Sequence, residues 1–157
     1  MEINKNLLFF PGVFILFFLD QVAKFLINTY MPVIDLFFFR IHFVKNYGIG
    51  FGFLNIPFFR WILIFLTIVI IVILLFYYKK CPSRFLPVFS FALITGGALG
   101  NLCDRFLYGF VTDFIDFGFW PVFNIADSAV TIGVVLLIFY YWKFSNKKKK
   151  RRKNRKI

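Results

Sequence analysis

With a single histidine in the chain, His42, no set of imidazole ligands can be assembled, and the H-E-x-x-H pattern of zinc proteases is absent. Cysteine is almost as scarce. Cys81 sits in a basic connection and Cys103 at the far end of the next apolar run, too far apart for a disulfide. Neither a metal nor any other cofactor is expected. Charged residues make up only 17% of the chain and seven of them are acidic, whereas 61% of residues are hydrophobic and 24% aromatic. That balance is too apolar for a soluble domain of this length, and a membrane protein is the expectation.

A formal net charge of +12 would ordinarily point to nucleic acid, but ten of the nineteen Lys and Arg residues lie between Lys143 and Lys156. The basic charge therefore describes a solvated tail rather than a groove, and nucleic acid is not an expected partner. The tail, residues 146–157, reads as a disordered cytoplasmic anchor that fixes orientation, with anionic lipid headgroups as its contacts.

Four apolar stretches, about 7–27, 58–78, 85–103 and 125–142, are long enough to cross roughly 30 Å of hydrocarbon at about 1.5 Å per residue. The first carries Asp20 and Lys24 and no small-residue cleavage site follows it, so it reads as a mature helix rather than a signal peptide. The fold class expected is an all-α membrane protein of four transmembrane helices, one domain over residues 1–145. Fourteen Lys and Arg flank one side of these spans, against Arg40, Lys45, Arg60 and Arg105 on the other, which predicts cytoplasmic termini. The second span holds no ionisable group except Arg60 and reads as scaffold. Residues 28–57 are too polar and glycine-rich to cross, and the loose alternation around Arg40, His42 and Lys45 predicts a small extracytoplasmic β-rich region between helices one and two. Gly48, Gly50 and Gly52 fit a chain that bends or admits another backbone.

Depth singles out the carboxylates, because an ionisable group inside a span is costly and marks a functional interior. Asp20 lies roughly 20 Å and Asp104 roughly 28 Å from the cytoplasmic edge. Asp113 and Asp116 follow in the next connection, and Asp127 stands just inside the fourth helix. Five carboxylates thus converge at one depth near the outer face. Serine chemistry offers only Ser128, with Lys24 or His42 as a base. Two carboxylates sharing a site need no cofactor: repulsion and burial keep one protonated while the other takes a proton from water, which is aspartic peptide hydrolysis. Residue types alone leave open which two of the five form such a pair.

Four segments then resemble the signature blocks of the lipoprotein signal peptidase (signal peptidase II) family, in order and spacing. They are Asp20-Gln21-Val22-Ala23-Lys24, Asn46-Tyr47-Gly48-Ile49-Gly50-Phe51, the run from Gly97 through Asn101, Asp104 and Arg105 to Asp113-Phe114, and Phe123-Asn124-Ile125-Ala126-Asp127-Ser128. In the second block Ile49 and Gly50 stand where the family has alanines. The resemblance implies that Asp113 and Asp127 are the catalytic dyad. It also implies that Asn46, Gly48, Asn101, Arg105 and Asn124 bind substrate or support the site, with Arg105 suited to a scissile-region carbonyl. Asp20, Lys24 and Asp104 read as structural polar residues, Asp20 with Lys24 as an i, i+4 pair and Asp104 as the countercharge of Arg105.

The substrate so implied is a diacylglyceryl-modified bacterial prolipoprotein, cut before its lipidated cysteine by a monomer of the inner membrane. Its partners are that substrate and membrane lipid, with phenylalanine-rich surfaces for acyl chains and the strands at 34–44 over the site. The competing classes make different demands. A small proton or ion transporter needs acids through the whole bilayer, which this chain lacks. A presenilin-type protease needs G-x-G-D, also absent, and a membrane adaptor tolerates loss of the carboxylates.

Overall fold

The computed structural model describes residues 3–48 and 57–154, with side chains described for 3–48 and 59–144. Helix α1 runs from Lys5–Tyr30, strand β1 from Ile34–Asp35, β2 from Arg40–Asn46, α2 from Pro57–Lys80, α3 from Phe85–Leu107, β3 from Val111–Asp116 and α4 from Ile125–Asn154. All four helices are long and apolar enough to cross a membrane. The sheet is antiparallel in the order β1-β2-β3 and caps one end of the bundle. Of the second signature block, Ile49, Gly50 and Phe51 lie outside the described residues, as does Gly52.

Helix α3 is the central post, packed on α1 and α4. A Cβ at Gly97 would lie 2.5 Å from the carbonyl oxygen of Ala126, and one at Gly100 would collide with the Asp20 carboxylate. Absence of side chains there brings α4 and α1 against α3 at the level of the acids, the close approach that membrane helices use in place of a hydrophobic drive. At the bundle end remote from the sheet, Tyr78 of α2 stacks on Phe9 of α1, with ring centroids 3.8 Å apart, and its hydroxyl donates to Asn6 Oδ1 at 2.7 Å.

Three features depart from the expectations. All four helices start at or before the expected positions and end beyond them, because flanking polar residues continue the backbone ladder after the apolar run stops. The tail expected to be disordered is helical through Asn154: lysine and arginine are good helix formers, and a helix already nucleated in the membrane extends at little cost. The sheet also draws a strand from outside the connection where strands were expected. Val111, Thr112 and Ile115 are β-branched and sit between Gly109 and Gly118, both at positive φ (84° and 77°), so a turn-bounded strand signal was present.

Candidate active site

The sheet end of the bundle encloses a polar centre built outward from Lys24. Its ammonium lies 2.8 Å from Asp20 Oδ2, 3.2 Å from Asp104 Oδ2 and 2.9 Å from Asn101 Oδ1. Asp20 and Asp104 are fully buried, and an isolated buried charge is prohibitive, so this packing stands only because Lys24 pairs with both carboxylates and hydrogen bonds fill their remaining positions. Gln21 adds donors to Asp20 and Asp104, and Asp104 Oδ2 also accepts the backbone N–H of Thr112 at 2.9 Å. Asp20 Oδ1 accepts the backbone N–H of Ala126 at 2.9 Å, satisfying a free donor in the first turn of α4. Asp104 was expected to neutralise Arg105. Its partner is Lys24 instead, since α3 turns neighbouring residues to different faces.

Asp127 and Asn124 close a capping box at the head of α4. Asn124 Oδ1 accepts the N–H of Asp127 at 2.9 Å, and Asp127 Oδ2 accepts the N–H of Asn124 at 3.3 Å. With its oxygen so engaged, the Asn124 amide presents its NH2 to Asp113 Oδ1 at 2.7 Å and to Asn101 Oδ1 at 3.1 Å. Asn101 in turn donates to Asp127 Oδ1 at 2.7 Å. Phe123, the residue before Asn124, bridges to Ile115, which ties the head of α4 to β3 and brings Asn124 beside Asp113. Across the sheet, Asn46 donates to Asp113 Oδ2 at 2.7 Å while its oxygen accepts the N–H of Gly48, also at 2.7 Å. Gly48 has φ 93°, a left-handed conformation that glycine adopts without strain.

Asp113 is 1% exposed, and burial pushes its carboxyl up from 3.8 to about 6. The hydrogen bond from Asn46 pulls it back, the charge of Asp127 raises it, and Asn124 and Lys24 lower it. Asp127 is half-buried and lies on the wall of a cavity of about 280 Å3 lined also by Trp120, Phe123, Ser128, Thr131 and Ile132. The two carboxylates thus share a hydrogen-bonded frame while one of them faces open space.

Other candidates fall outside that frame. Asp116 was counted with the converging carboxylates, but its oxygens are taken by Gly118 N at 2.7 Å and His42 Nε2 at 3.0 Å. The Gly118 N–H, followed by His42, holds its carboxyl below the usual range. His42, expected as an exposed strand residue, is half-buried in that pair. Ser128 donates to the carbonyl of Asn124 at 3.0 Å, and both bases considered for it are occupied elsewhere. Arg105 reaches the carbonyl of Asn101 at 3.5 Å, and its buried Nε has no hydrogen-bond partner among the described residues. Arg60, read as part of an inert scaffold helix, donates from Nε to the carbonyl of Arg105 at 2.7 Å and from Nη2 to that of Phe106 at 2.6 Å, capping the last turn of α3. Gln21, Asn28 and Thr112 carry site contacts to which the sequence assigned no role. Asn28 donates to Thr112 Oγ1 at 2.9 Å, an α1–β3 contact that a linear pattern does not reveal.

Fold and network together define a multi-pass membrane enzyme with a buried polar centre. The model of the family described as Signal peptidase (SPase) II matches residues 12–143. The chain is 44% identical over 129 residues to a lipoprotein signal peptidase of Halothermothrix orenii, covering 79% of this chain and 88% of that one. It is 40% identical over 132 residues to one of Alteromonas mediterranea, covering 76% and 72%. A solved bacterial membrane enzyme superposes with a TM-score of 0.79 at 32% identity, over 88% of this chain and 89% of the other. The chain belongs to the signal peptidase II family: it is a peptidase, and a multi-pass protein of the inner membrane.

Proposed function

We propose that this peptidase is of the aspartic type and removes signal peptides from diacylglyceryl-modified prolipoproteins, cleaving before the lipidated cysteine. The observation that carries the reading is that one residue, Asn124, donates to both carboxylates, from its side-chain NH2 to Asp113 and from its backbone N–H to Asp127, while its side-chain oxygen accepts the N–H of Asp127. The pair holds one proton. Its ionised member takes a proton from water, whose oxygen attacks the scissile carbonyl, and its protonated member donates to the departing amine. Arg105, half-buried at the end of α3, offers its planar donor fork to a substrate carbonyl, and Asn46, Gly48, Asn101 and Asn124 hold the carboxylates.

The charge bias supports cytoplasmic termini and a site near the outer leaflet, where a diacylglyceryl anchor delivers the scissile bond without dragging it into hydrocarbon. Residues 1–145 act as one peptidase domain, a monomer, and 146–157 as its basic cytoplasmic tail. Asp20, Lys24 and Asp104 hold the helices that carry the site. The test incubates purified protein in lipid with a diacylglyceryl-modified prolipoprotein and with its unlipidated form. Cleavage of the first alone is expected; equal cleavage of both removes the lipid dependence.

A further inference from the structure

Lys24 does more in this fold than pair with two acids. An ammonium has three donors and no acceptor, and those of Lys24 meet Asp20, Asp104 and Asn101. The atom of Asn101 turned toward it must therefore be the carbonyl oxygen. That contact decides which way round the Asn101 amide sits, and so turns its NH2 onto Asp127 Oδ1 at 2.7 Å. The other two amides are oriented by backbone donors: Asn124 by the N–H of Asp127 and Asn46 by the N–H of Gly48. Among the described residues the Asn101 oxygen has no backbone donor, and besides Lys24 it meets only the Asn124 NH2, which is shared with Asp113 and the carbonyl of Thr112.

We propose that Lys24 is a positioning residue for the hydrolysis, acting through Asn101 to keep an amide donor aimed at Asp127. The inference rests on the aspartic reading given above. A purely structural ion pair would be complete with Asp20 and Asp104; the third contact places a fixed positive charge one amide away from Asp127. In the free amide, a carbonyl oxygen turned toward Asp127 would oppose its ionised form and leave the Asn101 donors without their acceptor.

The test uses the full-length protein carrying Lys24→Met with Asp104→Asn, which keeps the cluster at the same net formal charge of −1. We expect kcat to fall about 10- to 100-fold, the range for groups that orient a reacting side chain, with KM little changed. The alkaline limb of the pH–rate profile should move to higher pH. Asp113 faces Asn46, Asn124, Asp127, Arg105 and Lys24, and loss of the Lys24 charge removes one of the influences that hold its carboxyl down. Asp104→Asn alone should keep most of kcat. Added to Asn101→Leu, the pair of changes should cause no further fall, because the path to Asp127 is already cut. An equal fall in that background, or a wild-type kcat and unmoved limb without it, overturns the proposal. Lys24→Arg keeps donors and charge and should retain more kcat per folded molecule than Lys24→Met; the reverse order also overturns it. Normal cleavage by Asp127→Asn would instead sink the aspartic reading itself.

Discussion

Asn46 reaches Asp113 across the β2–β3 ladder, 2.7 Å from amide nitrogen to carboxylate oxygen, only because the two strands are out of step. Arg40 pairs with Asp116 and Ile41 with Ile115, yet Val44 pairs with Asp113, so His42 and Phe43 together oppose Phe114. One extra residue in β2 forms a bulge. Continued without it, the ladder would set Phe43 opposite Asp113 and turn Asn46, three residues on, to the other face of the sheet. The bulge puts Val44, Asn46 and Asp113 on one face.

Removing that amide should shift the pH dependence of cleavage. Burial has raised Asp113 to about 6, and the Asn46 bond favours its ionised form. The active pair carries one proton, so kcat/KM of the free enzyme should decline as pH rises through about 6, where Asp113 loses it. With Asn46→Ala the carboxyl holds its proton longer, and the declining limb should move upward by about one pH unit, the scale of one hydrogen bond to a charged group. A limb that stays in place or moves down would show that Asn46 does not act on Asp113. The measurement is kcat/KM from pH 4 to 9.

Asp113→Asn and Asp127→Asn should each abolish cleavage while leaving folded protein in the membrane. Asn is nearly isosteric but can neither ionise nor act as a carboxylic acid. The two act as a unit, so the double variant should be little worse than either single one. Asp116→Asn is the control: bonded to His42 and Gly118, it takes no part in the frame and should retain most activity. Cleavage assays on equal amounts of folded protein decide this. An inactive Asp116→Asn beside an active Asp113→Asn would move the dyad to the wrong end of β3.

How far the site could be read before folding depended on the kind of signal. Helices announced themselves because hydrocarbon demands about twenty apolar residues in a row. Counting along those helices also predicted that Asp20, Asp104, Asp113 and Asp127 gather at one end of the bundle, where the hydrogen-bonded network joins them. Partners did not. Asp104 adjoins Arg105 in sequence but bonds Lys24, 80 positions earlier, and Thr112, because side chains on a helix meet neighbours by face rather than by order. Strand β3 was masked by its short length beside strong membrane signals, and the bulge in β2 is invisible until a partner strand sets the register. The role of Arg60 depends on where α3 happens to end, which apolar periodicity does not fix.

Deletion of residues 146–157 should leave kcat/KM largely unchanged. The helix α4 passes from Asp127 near its head to Asn154, so the tail sits at the opposite end of that helix from the frame. Ten of the nineteen basic residues lie from Lys143 onward, and loss of most of them weakens the charge bias that orients the protein. Insertion, measured by the side on which a terminal reporter lies, should suffer before catalysis does. A correctly inserted, tail-less protein that fails to cleave would contradict this.

Asp104→Ala should destabilise the fold through Lys24 and leave Arg105 unaffected. The carboxylate accepts from Lys24 at 3.2 Å, from Gln21 at 3.2 Å and from the Thr112 N–H at 2.9 Å, and alanine leaves all three donors short of a partner. A buried donor left without its acceptor costs about 1–3 kcal/mol, and three are affected, although Lys24 keeps Asp20 at 2.8 Å as its countercharge. Asp104→Asn keeps an acceptor for Thr112 and should cost roughly 1–2 kcal/mol. Thermal unfolding in detergent ranks the two, and a double-mutant cycle names the partner. Coupling between Asp104→Ala and Lys24→Met should be large, since Lys24→Met removes the ammonium whose contact Asp104→Ala breaks. Coupling between Asp104→Ala and Arg105→Met should be near zero. The opposite pattern would restore Arg105 as the group that Asp104 neutralises.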